Sequence, residues 1–363
     1  MSTYEQAGVQ RQSDALSSVV RHLGPTLGLP QDGEVLTSFG GYASAVKVSD
    51  DLAIAITTDG VGSKTIVAAA LDRYDTVGFD CVAMNVNDVI CVGARPIAMV
   101  DYLGVHTLHP RRADEILRGL GAAAKEAGIA IPGGELAQLP EVIGSDGKVA
   151  GDERAFDLVG TCIGVVHPDR IVTGADVEPG DVLIGLHSSG IHSNGLTLAR
   201  RALLERAGYR LGDEIPRLGR ALGDELLEPT EIYVRAATAM WSAGIATQGL
   251  VHITSDGFAN LCRLEAPVGY RVEELPSPPP IFGLIQEASE IPAAEMYRVF
   301  NMGIGLVVVV HPDEAEAALA AVRAQGYRAQ RIGTVTEDAG SVHVEPVRLV
   351  GGMVDGASHF EPY

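Results

Sequence analysis

The chain has 363 residues, 46% of them hydrophobic and 20% charged, and carries a formal net charge of −20. That length exceeds the roughly 250 to 300 residues at which a single core stops growing, so two domains are expected, and the apolar fraction excludes a disordered chain. The acidic balance excludes a nucleic-acid binder, whose affinity comes from Lys and Arg neutralising phosphates, but not a small polyanion held by cations and backbone N–H groups.

The N-terminal MSTYEQAGVQRQSDAL lacks the basic and apolar regions of a signal peptide, and no apolar run reaches the ~18 residues of a membrane span. A cytoplasmic protein without membrane partners is expected. Cys81, Cys91, Cys162 and Cys262 form no CxxC pair and read as core thiols of a reducing compartment.

An amphipathic helix is expected around Ser13 to Leu23, then the Gly-rich Phe39-Gly40-Gly41-Tyr42-Ala43 and a strand near Ala45 to Val48. Leu52 to Ile56 reads as a buried strand and Lys64 to Leu71 as the start of an Ala-rich helix. Between them, Thr57-Thr58-Asp59-Gly60-Val61-Gly62-Ser63-Lys64 suits a phosphate. Gly60 and Gly62 allow close backbone approach, the helix N-terminus offers N–H groups, and Lys64 adds a positive charge. Asp59 would repel bare phosphate but fits if a divalent cation lies between them. The loop is not a P-loop, because Ser63 separates Gly62 from Lys64.

Asp80 to Val92 reads as a helix on which Asp80 and Asn87 nearly eclipse while Asp88 lies about 80 to 100° away. Two Asn and an Asp within Asn85 to Asp88 are unusual in so apolar a helix. They are either local hydrogen-bonding groups or a carboxylate aimed at the same cation as Asp59. Ile97 to Val105 is a strand, a helix follows from Arg111 to Ala127, and an apolar run ends in Pro132-Gly133-Gly134-Glu135, read as a third turn of the same kind. His106 and His109 have no convincing zinc-ligand spacing. A polar loop spans Gly144 to Arg154, and Phe156 to Val166 is a strand.

His167 to Gly180 reads as the domain junction, giving an N-terminal domain over 1–170, a second over 171–345 and a tail over 346–363. Past the junction come a strand at Val182 to Leu186, the small-residue loop Ser188-Ser189-Gly190-Ile191-His192-Ser193-Asn194-Gly195 and a helix at Leu196 to Arg206. A histidine in such a loop is either structural or an anion contact and proton donor. The pattern recurs at His252-Ile253-Thr254-Ser255-Asp256-Gly257, and Ile304 to Val310 is a strand followed by a helix from Asp313 to Gly326. Strands ending in His167-Pro168-Asp169 and in His311-Pro312-Asp313 echo each other, as two α+β domains of related design would.

Taken together, Tyr4-x-x-Ala7-Gly8-Val9, Thr58 to Lys64, Asp75-Thr76-Val77-Gly78, Val82 to Asp88, Gly133-Gly134-Glu135, Ser188 to Gly195 and Glu295 to Asn301 resemble, in order, the motifs of the phosphoribosylformylglycinamidine cyclo-ligase family. The resemblance implies an α+β fold of two α/β domains, the N-terminal one forming a β-barrel with its copy in a homodimer and the C-terminal one an α-β sandwich. It implies ATP and Mg²⁺ as cofactors and formylglycinamidine ribonucleotide as substrate. ATP would phosphorylate the formyl oxygen, and the amidine nitrogen would then close the imidazole ring of aminoimidazole ribonucleotide.

By the same resemblance Asp59, Asp88 and Glu135 hold the metal, Lys64 pairs with phosphate oxygens, and His192 touches the transferring phosphate or the substrate. Gly40, Gly41, Gly60, Gly62, Asn87 and Asn194 complete the nucleotide contacts. The sequence departs from the family pattern at Glu5 and Gln10, at Leu136-Ala137-Gln138-Leu139-Pro140 and at Thr254-Ser255-Asp256-Gly257. Two alternatives stay open: another ATP-using enzyme of the superfamily, selenophosphate synthetase-like or a small-molecule kinase, and a catalytically silent nucleotide-binding subunit.

Overall fold

The computed structural model describes Gln6 and residues 13–29, 33–144, 152–354 and 356–363. The motif residues Tyr4, Ala7, Gly8 and Val9, the departures Glu5 and Gln10, and residues 145–151 of the polar loop lie outside the described residues.

The first unit is a six-stranded, half-barrel sheet of β1 (Glu34–Val35), β2 (Ser44–Ser49), β3 (Leu52–Gly60), β4 (Arg95–Val105), β5 (Ala130–Gln138) and β6 (Phe156–Val166). Its strand order is β1-β2-β3-β6-β4-β5. The helices are α1 (Ser13–Leu23), α2 (Lys64–Leu71), α3 (Val77–Cys91) and α4 (Pro110–Ala127). Among the described residues of this sheet only β4 and β5 pair in parallel, with α4 as the crossover that a parallel pair requires.

α3 is apolar nearly all round, and such a helix must be covered on every side. One side covers the inner face of the sheet, where Ala53 and Ala55 leave room for it, and the other meets the second unit. α4 crosses it at backbone contact, for a Cβ on Gly78 would lie 2.2 Å from the Leu120 nitrogen. The outer face of the sheet is apolar but uncovered, with Ile56, Val100 and Tyr102 exposed by 42%, 45% and 37%.

The second unit contains β7 (Val182–His187), the short ladder β8 (Glu214–Ile215) and β9 (Arg220–Ala221), β10 (Thr247–His252), β11 (Gly269–Val272), β12 (Ile304–Val310), β13 (Ala329–Thr336), β14 (Val342–Val344), β15 (Leu349–Val354) and β16 (Ala357–Pro362). Its eight-stranded sheet runs β10-β12-β7-β13-β11-β14-β15-β16. β12, a continuous apolar run, is buried at all seven positions between β10 and β7. The helices are α5 (Leu196–Arg200), which continues as a π-turn over Arg201–Arg206, α6 (Leu222–Leu226), α7 (Val234–Ser242), α8 (Pro280–Ser289), α9 (Ala293–Val299) and α10 (Ala315–Ala324).

The His-Pro-Asp echo is structural. After β6 and after β12 the imidazole Nδ1 accepts from the backbone N–H of the aspartate two residues on, at 3.2 Å in His167 and 3.4 Å in His311. Three expectations need correction. β3 runs on to Gly60, because Thr57 to Gly60 pair with Val159 to Cys162, so the turn shrinks to Val61 to Ser63. Gly133-Gly134-Glu135 is not a turn but part of the edge strand β5. The expected tail supplies β15 and β16. Among the described residues no helix is long and apolar enough to cross a membrane.

Candidate active site

Asp59 ends the inner row of β3, and its backbone is held by a side chain of α3. Asn85 accepts from the Asp59 N–H at 3.1 Å and donates to the Asp59 carbonyl at 3.0 Å. The cross-strand neighbour must be glycine, since a Cβ on Gly160 would come within 2.6 Å of the Asn85 amide nitrogen. The Asp59 carboxyl accepts from the Gly60 N–H at 2.7 Å. Burial and then the charge of Asp88 push its pKa up to about 6, against the lowering effects of Gly60 N–H and His252.

Asp88 sits on α3 with 13% of its side chain exposed, and its Oδ1 lies 2.9 Å from Nδ1 of the fully buried His252 at the end of β10. Asp59 and Asp88 are therefore two carboxylates close enough to repel each other in a part-buried site. That fits a divalent cation bound with a polyphosphate, because Mg²⁺ is usually held by one or two carboxylates together with phosphate oxygens and water.

Glu135 does not join them. Cross-strand pairing lines up Asp59, Gly160, Asp101 and Gly134, whereas Glu135 pairs with Tyr102. Neighbours along a strand face opposite ways, so Glu135 lies on the outer face, three strand spacings or roughly 14 Å from β3. Asp101 shares the inner face with Asp59, and burial raises its pKa. Among the described residues no three His, Cys, Asp or Glu side chains are placed to hold a metal ion.

Lys64 starts α2 as expected but does not face an open cleft. Its side chain is wholly buried, with Nζ 2.8 Å from Asp80 Oδ1 and donating also to the Glu228 carbonyl. Asp80 Oδ1 accepts in addition from the Thr230 N–H at 2.9 Å and its hydroxyl at 2.6 Å. Asn87, one face-repeat along α3, is spent in the same way: its amide donates to the Glu231 carbonyl at 2.8 Å and accepts from the Tyr233 N–H at 2.9 Å. The eclipsed pair thus grips Thr230, Glu231 and Tyr233 of the second unit, and the expected nucleotide contact by Asn87 gives way to this grip.

His192 is buried and held at φ 65°, a left-handed conformation that is rare for a side chain with a Cβ. Its loop is tied down by Asn301, which accepts from Ser188 Oγ at 2.9 Å and donates to the carbonyls of Gly190 and Ile191 at 2.9 and 3.2 Å. Nε2 accepts from the Ser189 N–H at 3.3 Å, which puts the ring proton on Nδ1, a buried atom with no hydrogen-bond partner among the described residues. Burial, then His252 and Lys64, drive the His192 pKa well down, so the ring is neutral.

The Asn194 amide donates to the Met84 sulfur at 3.9 Å. Gly62 takes φ 68°, and its carbonyl accepts from the Thr65 hydroxyl at 2.9 Å. Gly40 and Gly41 line a cavity of about 290 Å³ with Phe39, Tyr42, Leu250 and Arg263. Tyr42 donates to the His252 carbonyl at 2.8 Å, while the Arg263 guanidinium lies over its ring at 5.1 Å. This glycine loop is thereby fastened beside the Asp88–His252 pair. No spacing in the sequence points to Asp101, His252 or Asn301 as site residues, whereas the unusual polarity of the 85–88 stretch is a signal for Asn85.

Residues 40–166 match the model of the AIR synthase related protein N-terminal domain, and residues 178–345 match that of its C-terminal domain. The two matches, in order along one chain, define an AIR synthase related protein. The chain is 46% identical to the phosphoribosylformylglycinamidine cyclo-ligase of Methanobrevibacter smithii over 93% of its length and 96% of that protein. It is 48% identical to the enzyme of the same name from Methanothermobacter thermautotrophicus over 95% of its length and 97% of that protein. The chain belongs to the phosphoribosylformylglycinamidine cyclo-ligase family. Its fold is also that of T. maritima PurL complexed with ATP, at a TM-score of 0.55 and 17% identity over 90% of this chain and 46% of the other.

Proposed function

We propose that this chain is the ligase that closes the imidazole ring of aminoimidazole ribonucleotide from formylglycinamidine ribonucleotide, consuming ATP and releasing ADP and phosphate in purine biosynthesis. The observation that carries the reading is the near full-length relationship to cyclo-ligases combined with the paired, part-buried carboxylates Asp59 and Asp88. Phosphoryl transfer needs alignment and charge neutralisation more than a protein nucleophile. Bound between the two carboxylates, Mg²⁺ would supply that neutralisation at the triphosphate.

The chain's own residues account for the rest. Gly62, Ser63 and the N-terminus of α2 offer N–H groups to phosphate, while the Val61 N–H is held by the Leu158 carbonyl and Lys64 steadies the turn from beneath through Asp80. Neutral His192 offers its Nδ1–H as a hydrogen-bond donor to an oxygen of the transferring group and does not transfer the proton, since the ring carries no imidazolium proton and the N–H of a neutral imidazole is a very weak acid. Transfer of phosphate to the formyl oxygen makes a leaving group, and attack by the amidine nitrogen closes the ring. The exposed apolar face of the first sheet suits a second copy as partner, so the working unit is a cytoplasmic homodimer and Glu135 lies at its interface.

The test is to incubate the protein with Mg-ATP and formylglycinamidine ribonucleotide. ADP and aminoimidazole ribonucleotide are expected in equal amounts, and in far smaller amounts with Asp59→Asn or Asp88→Asn. ADP production that ignores the ribonucleotide would overturn the reading.

A further inference from the structure

The geometry points to His252 as the positioning residue for Asp88: it fixes one carboxylate oxygen so that the other is presented to a divalent cation shared with Asp59. The inference rests on the cation site proposed above and not on which acceptor is phosphorylated.

His252 is unusually well placed for this. It is fully buried, and its backbone is fixed on both sides, by Tyr42 donating to its carbonyl at 2.8 Å and by the next N–H, that of Ile253, donating to the Gly305 carbonyl at 2.9 Å. A carboxylate only accepts, so the 2.9 Å contact places the proton on Nδ1 and aims it at Asp88 Oδ1. A carboxylate on a helix surface otherwise rotates freely about its last bond, and this single donor removes that freedom. Nε2 is buried without a hydrogen-bond partner among the described residues, so the ring's one polar contact is with Asp88. A histidine kept for core packing alone has no need to aim its donor at a carboxylate.

The pair also joins the two units, because Asp88 is on α3 and His252 ends β10. Cation affinity should then depend on how β10 seats against α3. Partners that orient metal-ligating groups typically alter metal affinity 10- to 100-fold.

The experiment is a titration of the full-length protein with Mn²⁺ alone, reading free Mn²⁺ by electron paramagnetic resonance, so that no turnover enters. Wild type is expected to bind and Asp88→Asn to bind far more weakly. His252→Ala should weaken binding about 10- to 100-fold. His252→Asn, which keeps an N–H donor near the Nδ1 position, should stay within about threefold of wild type, whereas His252→Gln, whose donor sits farther out, should resemble the alanine variant. Thermal melts identify any variant that is not folded, and the asparagine–glutamine contrast does not depend on the alanine variant folding. His252→Ala or His252→Gln binding Mn²⁺ as wild type does would overturn the assignment. A folded His252→Asn as weak as His252→Gln would overturn it too. Wild type that fails to bind Mn²⁺ would instead remove the cation site itself, and this inference with it.

Discussion

The ammonium of Lys64 and the carboxylate of Asp80 meet 2.8 Å apart with neither side chain exposed. Removing one partner of such a pair leaves a buried charge without compensation, at a cost of about 3 to 5 kcal/mol. Lys64→Met should therefore lower stability by that amount in urea unfolding. Lys64→Met combined with Asp80→Leu should recover much of the loss, although Thr230 then lacks its acceptor. A double variant no more stable than the single one would contradict this account.

Asp59 sets a pH dependence of stability. Its folded pKa of about 6 lies above the ordinary 3.8, so its contribution is present at acid pH and is lost as pH rises through about 6. The difference corresponds to roughly 3 kcal/mol at most. Without divalent cations, Asp59→Asn should melt higher than wild type at pH 7.5, with the gap closing as pH falls from about 6 to 4. The same variant should be nearly inactive, and millimolar Mg²⁺ should raise the melting temperature of wild type only.

Asn85 holds Asp59 by two backbone hydrogen bonds. Asn85→Ala leaves a buried N–H and carbonyl without their partner, worth about 2 kcal/mol in unfolding experiments. Because Asp59 then moves, KM for Mg-ATP should rise along with the stability loss. A destabilised enzyme with an unchanged KM would assign Asn85 to packing alone.

For His192 the expected effect is on chemistry. Gly adopts the left-handed backbone at this position without strain, so His192→Gly should fold while removing the Nδ1 donor. Loss of one donor to a developing charge costs about 10²- to 10³-fold in kcat, whereas KM for Mg-ATP should change little.

The exposed apolar face of the first sheet gives an independent prediction. Val100→Glu, at a side chain 45% exposed in the described chain, should shift the protein from dimer to monomer in analytical ultracentrifugation. A wild-type monomer would refute the proposed assembly.

Much of this was legible in the sequence because it is local. The helix start at Lys64 and the strands Phe156–Val166 and Ile304–Val310 follow from apolar pattern. The eclipse of Asp80 with Asn87 follows from the helical repeat. What was not legible depends on pairing between distant strands. Glu135 follows two glycines, as a turn residue would, but cross-strand register puts it on the face opposite Asp59. His252 and Asp88 are 164 residues apart, and no spacing rule connects them. Lys64 looked available to phosphate because sequence alone does not reveal that Asp80 lies beneath it.

α3 grips the second unit at Asp80, Asn87 and Asp88, beside the contacts that Lys64 and Tyr42 make with the Glu228 and His252 carbonyls. Side chains reach roughly 5 Å from a helix axis, so a roll of about 10° around α3 moves them only about 1 Å. A shift of that size is enough to stretch the 2.9 Å His252–Asp88 contact past hydrogen-bonding range. The donor that His252 aims at Asp88 therefore holds its geometry only while α3 keeps its rotational setting against β10.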